Sequence, residues 1–286
     1  MESKKIFGHI SLLLCAVIWG IAFPFCKDAL NSMGTWWVLT VRFVLAAVMF
    51  AFIAGKKLKT LDKKAVAASI LMGLFLVGAY FTQTLGLNYT TSGKSAFLTT
   101  TYCVMTPYLA YLIYKRKASK KNIIAAVICT VGIGFITLES GFGNINIGDI
   151  YTIVCGVFFA LQIVVMENYI AKYDGFALTW VQIATCAVVY TLCAVLFEQP
   201  PVVSQLSTVC IFELLFLALI ATGFTFVLET WGMRVTPSTH AAVLMSLESL
   251  FGALFSVVFY GEKLTVFTVI GFVLVFISVL LDEVNT

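Results

Sequence analysis

Charged residues are scarce in this chain, and their scarcity decides the class of protein. Lys, Arg, Asp and Glu together make up 11% of the 286 residues, whereas apolar residues make up 61%. A soluble domain usually carries about 25% charged residues, so no soluble fold could bury this much apolar side chain. The composition therefore predicts an all-α integral membrane protein, with the lipid bilayer around it and no room for a separate soluble domain.

Clustered metal ligands and catalytic motifs are also lacking. Only two histidines occur, His9 and His240, and the eight cysteines are dispersed through apolar segments without a CxxC spacing. The chain contains no HExxH or GxSxG motif, and Gly148-Asp149 does not complete a GxGD motif. We expect no enzyme activity, no cofactor and no metal site. The formal net charge of +4 bears on topology and does not predict a nucleic-acid partner.

Long apolar runs occupy most of the chain, and each is long enough for a membrane helix. About 20 residues of helix cross a bilayer, and the first run lacks an Ala-x-Ala cleavage site, so we interpret it as an uncleaved span. The predicted transmembrane helices are ten in number, at residues 7–28, 34–54, 65–86, 93–114, 122–139, 148–170, 175–197, 208–231, 238–260 and 265–281. Pro24 and Pro107 fall inside two of them and predict kinks.

The basic residues predict the orientation of these spans. If the amino terminus is cytoplasmic, fourteen of the 18 Lys and Arg residues fall on the cytoplasmic side. The opposite side then holds only Lys27, Lys94 and Lys263, and Arg42 lies within a span. Since cytoplasmic loops carry the excess of Lys and Arg, both termini are predicted to be cytoplasmic.

The two halves of the chain resemble each other. A shift of 146 residues aligns the third and fourth spans with the eighth and ninth without a gap, and eight of 34 positions are identical. The identical pairs include Thr84 with Thr230, Gly86 with Gly232, Ser92 with Ser238 and Tyr114 with Tyr260. Five spans in each half would make the second half an inverted copy, which is typical of secondary transporters. We assign the repeats to residues 1–146 and 147–286.

Two ionisable residues at bilayer depth are candidate functional groups. Glu248 lies near the centre of the ninth span and Arg42 near the middle of the second. A charge at that depth costs about 2.5 to 3.5 kcal/mol, so each needs a partner or a function. Glu248 could exchange a proton, balance a cationic substrate, or be a structural carboxylate bonded to a neighbouring helix. Arg42 could pair with Glu248 or another acid, or donate to backbone carbonyls.

Six more polar or amphipathic side chains are candidates for the same substrate-binding or coupling site. Under the shift of 146, Tyr102 corresponds to Glu248 and Gln83 to Glu229. Gln83 and Glu229 lie near span ends, so snorkelling to the interface is an alternative for both. The others are mid-depth side chains that could line a cavity or simply pack in the bundle, namely Gln162, Trp19 and Tyr80.

Several local sequences resemble one family. They are Ala16-Val17-Ile18-Trp19-Gly20, Arg42-Phe43, Thr91 to Thr99 followed by Pro107, Gly223 to Arg234, Ser246-Leu247-Glu248 and Gly261-Glu262-Lys263-Leu264. Together and in this order, they are similar to the two repeats of EamA-type drug/metabolite transporters, at residues near 8–138 and 148–281. The resemblance implies a ten-helix inverted-repeat transporter in a bacterial cytoplasmic (inner) membrane, with a cavity between the halves. It also implies a small-molecule substrate.

The expected function is secondary active or facilitative export of a small metabolite. Because Glu248 offers a deep anion and Arg42 is the only deep cation, an amino acid or a related zwitterionic or cationic solute is favoured over a phosphate. Proton coupling is a further expectation, and a homodimer is compatible with the sequence but does not follow from it. The alternatives are a non-transporting membrane sensor or assembly partner and, within transport, a multidrug or toxic-compound exporter.

One departure from the resembling family bears on the ninth span. Ser249 stands where many relatives carry a proline just after the acidic residue. The resemblance therefore implies a straighter helix around Glu248 than those relatives have.

Overall fold

The computed structural model describes residues 2–117, 119–137, 146–202, 204, 206–261 and 265–283, and these residues are helical apart from short connections. A 3-10 turn, Lys57–Thr60, precedes the third helix, and a π-helical segment, Phe216–Phe224, joins the ninth to the tenth. The α-helices are α1 (Glu2–Ala29), α2 (Thr35–Ala54), α3 (Lys63–Leu87), α4 (Ser92–Thr99), α5 (Tyr102–Tyr114), α6 (Lys120–Thr137), α7 (Ile147–Ile170), α8 (Gly175–Phe197), α9 (Thr208–Leu215), α10 (Thr225–Met233), α11 (Ser238–Met245), α12 (Glu248–Tyr260) and α13 (Val266–Glu283).

These segments form ten helices, as the hydropathy pattern predicts. The pairs α4 with α5, α9 with α10 and α11 with α12 each form one span. Eight spans in the described part of the chain are long and apolar enough to cross a membrane, while α6 and α13 contain the shorter apolar stretches 123–132 and 269–278. The all-α membrane architecture is therefore confirmed. The predicted bounds agree to within a few residues, and residues 138–145 and 262–264 lie outside the described part.

The outer surface of the bundle is apolar. Phe52 is 88% exposed, Val258 73% and Leu196 72%, and many other large apolar side chains are exposed with them. Exposed apolar area on this scale marks a contact surface for another apolar phase. In a ten-helix bundle of this composition, that phase is the lipid hydrocarbon.

Two of the predicted spans are interrupted, at equivalent places. The fourth span is interrupted at Thr100 and Thr101, and the ninth at Ser246 and Leu247. The breaks are related by the shift of 146, so Tyr102 and Glu248 each begin the second half of a broken helix. The predicted spans 93–114 and 238–260 are confirmed, and the interruptions within them were not predicted.

Hydroxyl side chains explain the breaks. Thr100 Oγ1 donates to the Phe97 carbonyl at 2.7 Å, and Ser246 Oγ donates to the Val243 carbonyl at 2.6 Å. Such bonds to the carbonyl three residues earlier compete with the α-helical pattern. Ser249 adds a third, to the Ser246 carbonyl at 2.7 Å. Ser249 therefore bonds to the first residue of the break, and the comparison with relatives that carry proline at this position stays a prediction.

Helices of each half pack against helices of the other half. α1 packs against α10 and α12, and the corresponding helix of the second half, α7, packs against α3 and α5. α2 packs against its counterpart α8, and α6 against its counterpart α13. Exchanging the two five-span halves thus reproduces the same pattern of helix contacts.

The two ends of the bundle carry different polar contacts. At the end where α1 begins, here called the N-terminal end, Arg116 pairs with Glu167 at 2.7 Å and Arg234 with Asp174 at 3.4 Å. At the opposite end, here called the far end, Lys94 pairs with the buried Asp149 at 2.7 Å. At each end, therefore, an ion pair joins the first half of the chain to the second, Arg116 with Glu167 at one end and Lys94 with Asp149 at the other.

Candidate functional site

A cavity lies between the two halves near the middle of the bundle. Its empty volume, including its opening, is about 580 Å³. All eight of the candidate residues named from the sequence line it, namely Trp19, Arg42, Tyr80, Gln83, Tyr102, Gln162, Glu229 and Glu248. The fold thus brings together residues that are up to 229 positions apart in the sequence. They meet in a cavity between the halves, where an inverted-repeat transporter holds its substrate.

Three pairs of lining residues are equivalent in the two repeats. The pairs are Gln83 with Glu229, Tyr80 with Phe226, and Tyr102 with Glu248, and all six residues line the cavity. Both halves therefore contribute equivalent positions to the cavity. Its chemistry is nevertheless asymmetric, because both carboxylates come from the second half of the chain.

The two half-helix starts bring polar groups without partners into the cavity. Glu248 is 4% exposed and Tyr102 is 3% exposed. They lie close enough to interact, yet the Tyr102 hydroxyl and Glu248 Oε1 complete no hydrogen bond in the described structure. Buried polar atoms without partners are rare and costly.

Two glutamines are held with their amide nitrogens turned away from the cavity. Gln162 Nε2 donates to Gln182 Oε1 at 3.0 Å, and Gln83 Nε2 donates to Thr99 Oγ1 at 3.2 Å. Gln182 is fully buried and donates in turn to the sulfur of Met166 at 3.5 Å. The amide oxygens of Gln162 and Gln83 make no hydrogen bond within the described residues, so both remain as acceptors.

Arg42 is held by the π-helical segment. Its Nε donates to Thr222 Oγ1 at 2.5 Å and its Nη2 to the Ala221 carbonyl at 3.4 Å. Its guanidinium carbon lies 4.5 Å from the centre of the Tyr80 ring, a favourable cation–π distance. Arg42 forms no ion pair with a described carboxylate. Of the alternatives for Arg42, donation to a backbone carbonyl is the one observed, and pairing with Glu248 is not.

Trp19 is anchored to the same segment and to the first residue of α10. Its indole nitrogen donates to the Ala221 carbonyl at 3.0 Å and to Thr225 Oγ1 at 3.1 Å. π-Helical turns occur often at functional sites. Here the Ala221 carbonyl accepts from both Trp19 and Arg42 and so fixes one aromatic and one cationic wall of the cavity.

Gln83 and Glu229 do not snorkel. Gln83 is 8% exposed and Glu229 5%, and both side chains face the cavity. The snorkelling alternative is wrong for both, because each lies on the face of its helix that packs between the halves.

Several wall residues escaped the sequence analysis. Phe159 and Phe226 line the cavity, and Phe159 packs edge-on against the Tyr80 ring at 5.1 Å. No sequence signal separates these rings from ordinary packing aromatics. Gln182 was also missed, although an amide inside the apolar span 175–197 could have identified it.

Metal ligands are not gathered here. Among the described residues, no group of three or more His, Cys, Asp or Glu side chains could hold a metal ion. His9 and His240 lie away from the cavity, at the N-terminal end, with their ring centres 4.8 Å apart.

Comparison with known proteins identifies the fold and the family. The model of the EamA-like transporter family matches residues 6–138 and 146–281. An uncharacterized transporter of Archaeoglobus fulgidus is 32% identical over 280 residues, which cover 97% of this chain and 86% of that protein. The uncharacterized transporter YoaV of Bacillus subtilis is 23% identical over 286 residues, covering 95% of this chain and 94% of YoaV.

A solved structure gives the same architecture. A protein crystal structure with 13% sequence identity superposes with a TM-score of 0.78 and covers 99% of this chain and 97% of that one. At this identity the likeness concerns the fold alone. The two family matches together span nearly the whole chain, so this multi-pass membrane protein, a transporter and not an enzyme, belongs to the EamA-like transporter family.

Proposed function

We propose that the chain exports a small zwitterionic or cationic metabolite, such as an amino acid or an amine, as a secondary active or facilitative transporter. The observation that carries this proposal is the charge of the cavity, which gathers Glu229 and Glu248 around a single guanidinium, that of Arg42. If both carboxylates are ionised, an empty cavity has an excess of negative charge. A positively charged group on the cargo then balances the cavity, whereas a phosphate does not.

Arg42 is a poor partner for an anionic cargo. Its Nε and Nη2 already donate to Thr222 and Ala221, and the Tyr80 ring covers one face of its guanidinium. A bound phosphate would have only the remaining N–H groups of Arg42 as partners and would lie beside two carboxylates. This geometry supports the preference for a cation or zwitterion over an anion.

The proposed topology has five spans in each repeat, residues 1–146 and 147–286, with the second repeat inverted and both termini in the cytoplasm. The exchange of packing partners between the halves and the distribution of Lys and Arg support it. The N-terminal end is then cytoplasmic. A reporter fused to the carboxyl terminus should be active only in a cytoplasmic assay, and activity outside would contradict this topology.

In the proposed transport cycle, the halves rock about the cavity. Toward the N-terminal end the core is packed with buried side chains, including Leu12, Ala16, Met166 and Met233. The lining residues of α1 and α3 that lie farthest along the helices, Cys26 and Leu87, extend toward the far end. The cavity thus extends toward the far end, and Glu248 is the proposed group for proton coupling.

A ligand screen followed by a flux assay tests the proposal. Purified protein is heated with amino acids, amines, nucleosides or organic acids, because a ligand of the folded state raises its apparent stability. We expect stabilisation by amines or amino acids, lost in Glu248→Gln, and saturable flux of the same solute in proteoliposomes. Stabilisation by organic acids alone would contradict the cationic cargo, and binding without flux would favour a sensor.

The aromatic walls favour a second candidate, a multidrug exporter for lipophilic cations. Trp19, Phe159 and Phe226 surround the carboxylates, and aromatic faces attract cations. Comparable stabilisation by many unrelated lipophilic cations would support this candidate over a metabolite exporter.

A further inference from the structure

The cavity offers several hydrogen-bond acceptors. The carboxylates of Glu229 and Glu248 line it, and Glu248 Oε1 is buried without a partner. Gln162 and Gln83 add two amide oxygens, since one N–H of each Nε2 is bonded to a residue outside the cavity. The cavity thus presents acceptors from both halves of the chain.

Several donors of the cavity are already bonded. The Trp19 indole nitrogen donates to Ala221 of the π-helical segment and to Thr225 at the start of α10, and two of the five N–H groups of Arg42 are bonded to the π-helical segment. The hydroxyls of Tyr80 and Tyr102, which can also accept, the remaining N–H groups of Arg42 and one N–H group of each glutamine amide are left. A cargo group rich in N–H donors fits the carboxylates and the amide oxygens of this cavity.

We infer that the cavity binds its cargo through a protonated primary amine whose N–H groups reach Glu248, Gln162 and Gln83. This inference rests on the proposed function and narrows its substrate class. A quaternary ammonium carries the same charge and suits the aromatic walls equally well. It has no N–H group, however, so the acceptors would stay unsatisfied when the cargo excludes water.

Gln182 is a positioning residue in this site. It does not line the cavity, but its Oε1 accepts from Gln162 Nε2 and thereby fixes which end of the Gln162 amide faces the cargo. Without that acceptor, the amide can rotate and present its nitrogen to the ammonium. Loss of Gln182 should therefore weaken binding of a primary amine more than binding of a quaternary one.

The test compares matched probes by thermal-shift titration of the purified full chain. The probes are 2-phenylethylamine, its N,N,N-trimethyl analogue, neutral 2-phenylethanol, and the smaller pair butylamine and butyltrimethylammonium. We expect each primary amine to bind at least about tenfold more tightly than its quaternary counterpart, and the alcohol to bind more weakly than the amine. Equal affinity within both pairs, or no shift with either primary amine, overturns the inference.

Variants distinguish a positioning role of Gln182 from a purely structural one. Gln162→Leu and Gln182→Leu should each reduce the primary-to-quaternary affinity ratio toward one, whereas Glu213→Gln, a buried carboxyl outside the cavity, should leave the ratio unchanged. Gln182→Met provides a second, similarly sized variant if Gln182→Leu does not fold. If both Gln182 variants weaken the two probe types equally, Gln182 is only structural and this assignment is wrong.

The failure of this inference can be told from failure of the proposed function. Equal affinity for primary and quaternary amines, together with saturable amine flux, would overturn the N–H recognition and leave cation export standing. Tighter binding of the primary amines than of their quaternary counterparts, without flux of either, would leave the recognition standing and overturn transport.

Discussion

The buried ion pair at the far end provides a quantitative test of how the two halves are joined. Asp149 Oδ2 lies 2.7 Å from Lys94 Nζ. The carboxylate also accepts from Thr90 Oγ1 at 2.9 Å and from the Asn146 backbone nitrogen at 3.0 Å. The Asp149 side chain is 1% exposed and that of Lys94 17%. The pair therefore links α4 of one half to α7 of the other in a largely dry place.

Asp149→Asn removes the charge and sets an amide group against the Lys94 ammonium. Breaking a buried ion pair by removing one partner costs about 3 to 5 kcal/mol, and we expect about 3 kcal/mol because Lys94 can still turn toward solvent. At about 2 to 4 °C per kcal/mol, the Tm should fall by about 6 to 12 °C. In the double variant with Lys94→Met, the two effects should be less than additive by about 2 kcal/mol.

Thermal unfolding in detergent, followed by intrinsic tryptophan fluorescence, measures these shifts. Lys57→Met is the matched control, because Lys57 pairs with Asp174 at 3.4 Å while its own side chain is 43% exposed. Such an exposed pair contributes about 0 to 1 kcal/mol. If Asp149→Asn lowers the Tm no more than Lys57→Met does, the argument from burial is refuted. Strict additivity in the double variant would show that the two groups are not coupled.

Three further predictions concern the ends of the helices. Lys115 has a left-handed backbone with φ of 56°, so Lys115→Gly should stabilise the protein by about 1 kcal/mol, whereas Lys117→Gly should not raise the Tm. The Glu198 carboxylate accepts from the first backbone nitrogens of α2, so Glu198→Ala should lower the stability by about 1 kcal/mol and Glu198→Gln by less. The backbone of Ala65 and the Tyr173 hydroxyl hold the pKa of Asp62 below its ordinary value of 3.8. The contribution of the ionised Asp62 carboxylate to the stability of the fold is present above that ordinary pKa and is lost as the pH falls through the folded-state pKa. Asp62→Asn should therefore lower the Tm at neutral pH and leave it unchanged in strong acid, and an equal loss at both pH values would exclude the electrostatic explanation.

The sequence was sufficient to predict the spans, because hydropathy depends on composition over about 20 residues. It was not sufficient for the breaks at Thr100 and Ser246. A hydroxyl within a membrane helix often bonds to its own turn without interrupting the helix, so only the surrounding packing distinguishes the two outcomes. The same holds for the π-helical turn, whose Ala221 carbonyl accepts from Arg42 and Trp19.

The candidate residues could be selected by depth and polarity, but their orientations could not. Depth predicted that Glu248 and Tyr102 approach the midplane, and the structure places both in one cavity. The hydrogen-bonding state of Gln162 depends on Gln182, which lies on another helix. Contacts of this kind join residues whose relation appears only after the helices are packed.

The matching interruptions in the fourth and ninth spans separate shape from chemistry. Residues 92–99 correspond to 238–245, and residues 102–114 to 248–260, without a single insertion. Both halves thus share the same broken helix in the same register. The amino acid that follows the break differs, tyrosine in one half and glutamate in the other. One backbone form therefore presents a neutral hydroxyl from one side of the cavity and a carboxylate from the other.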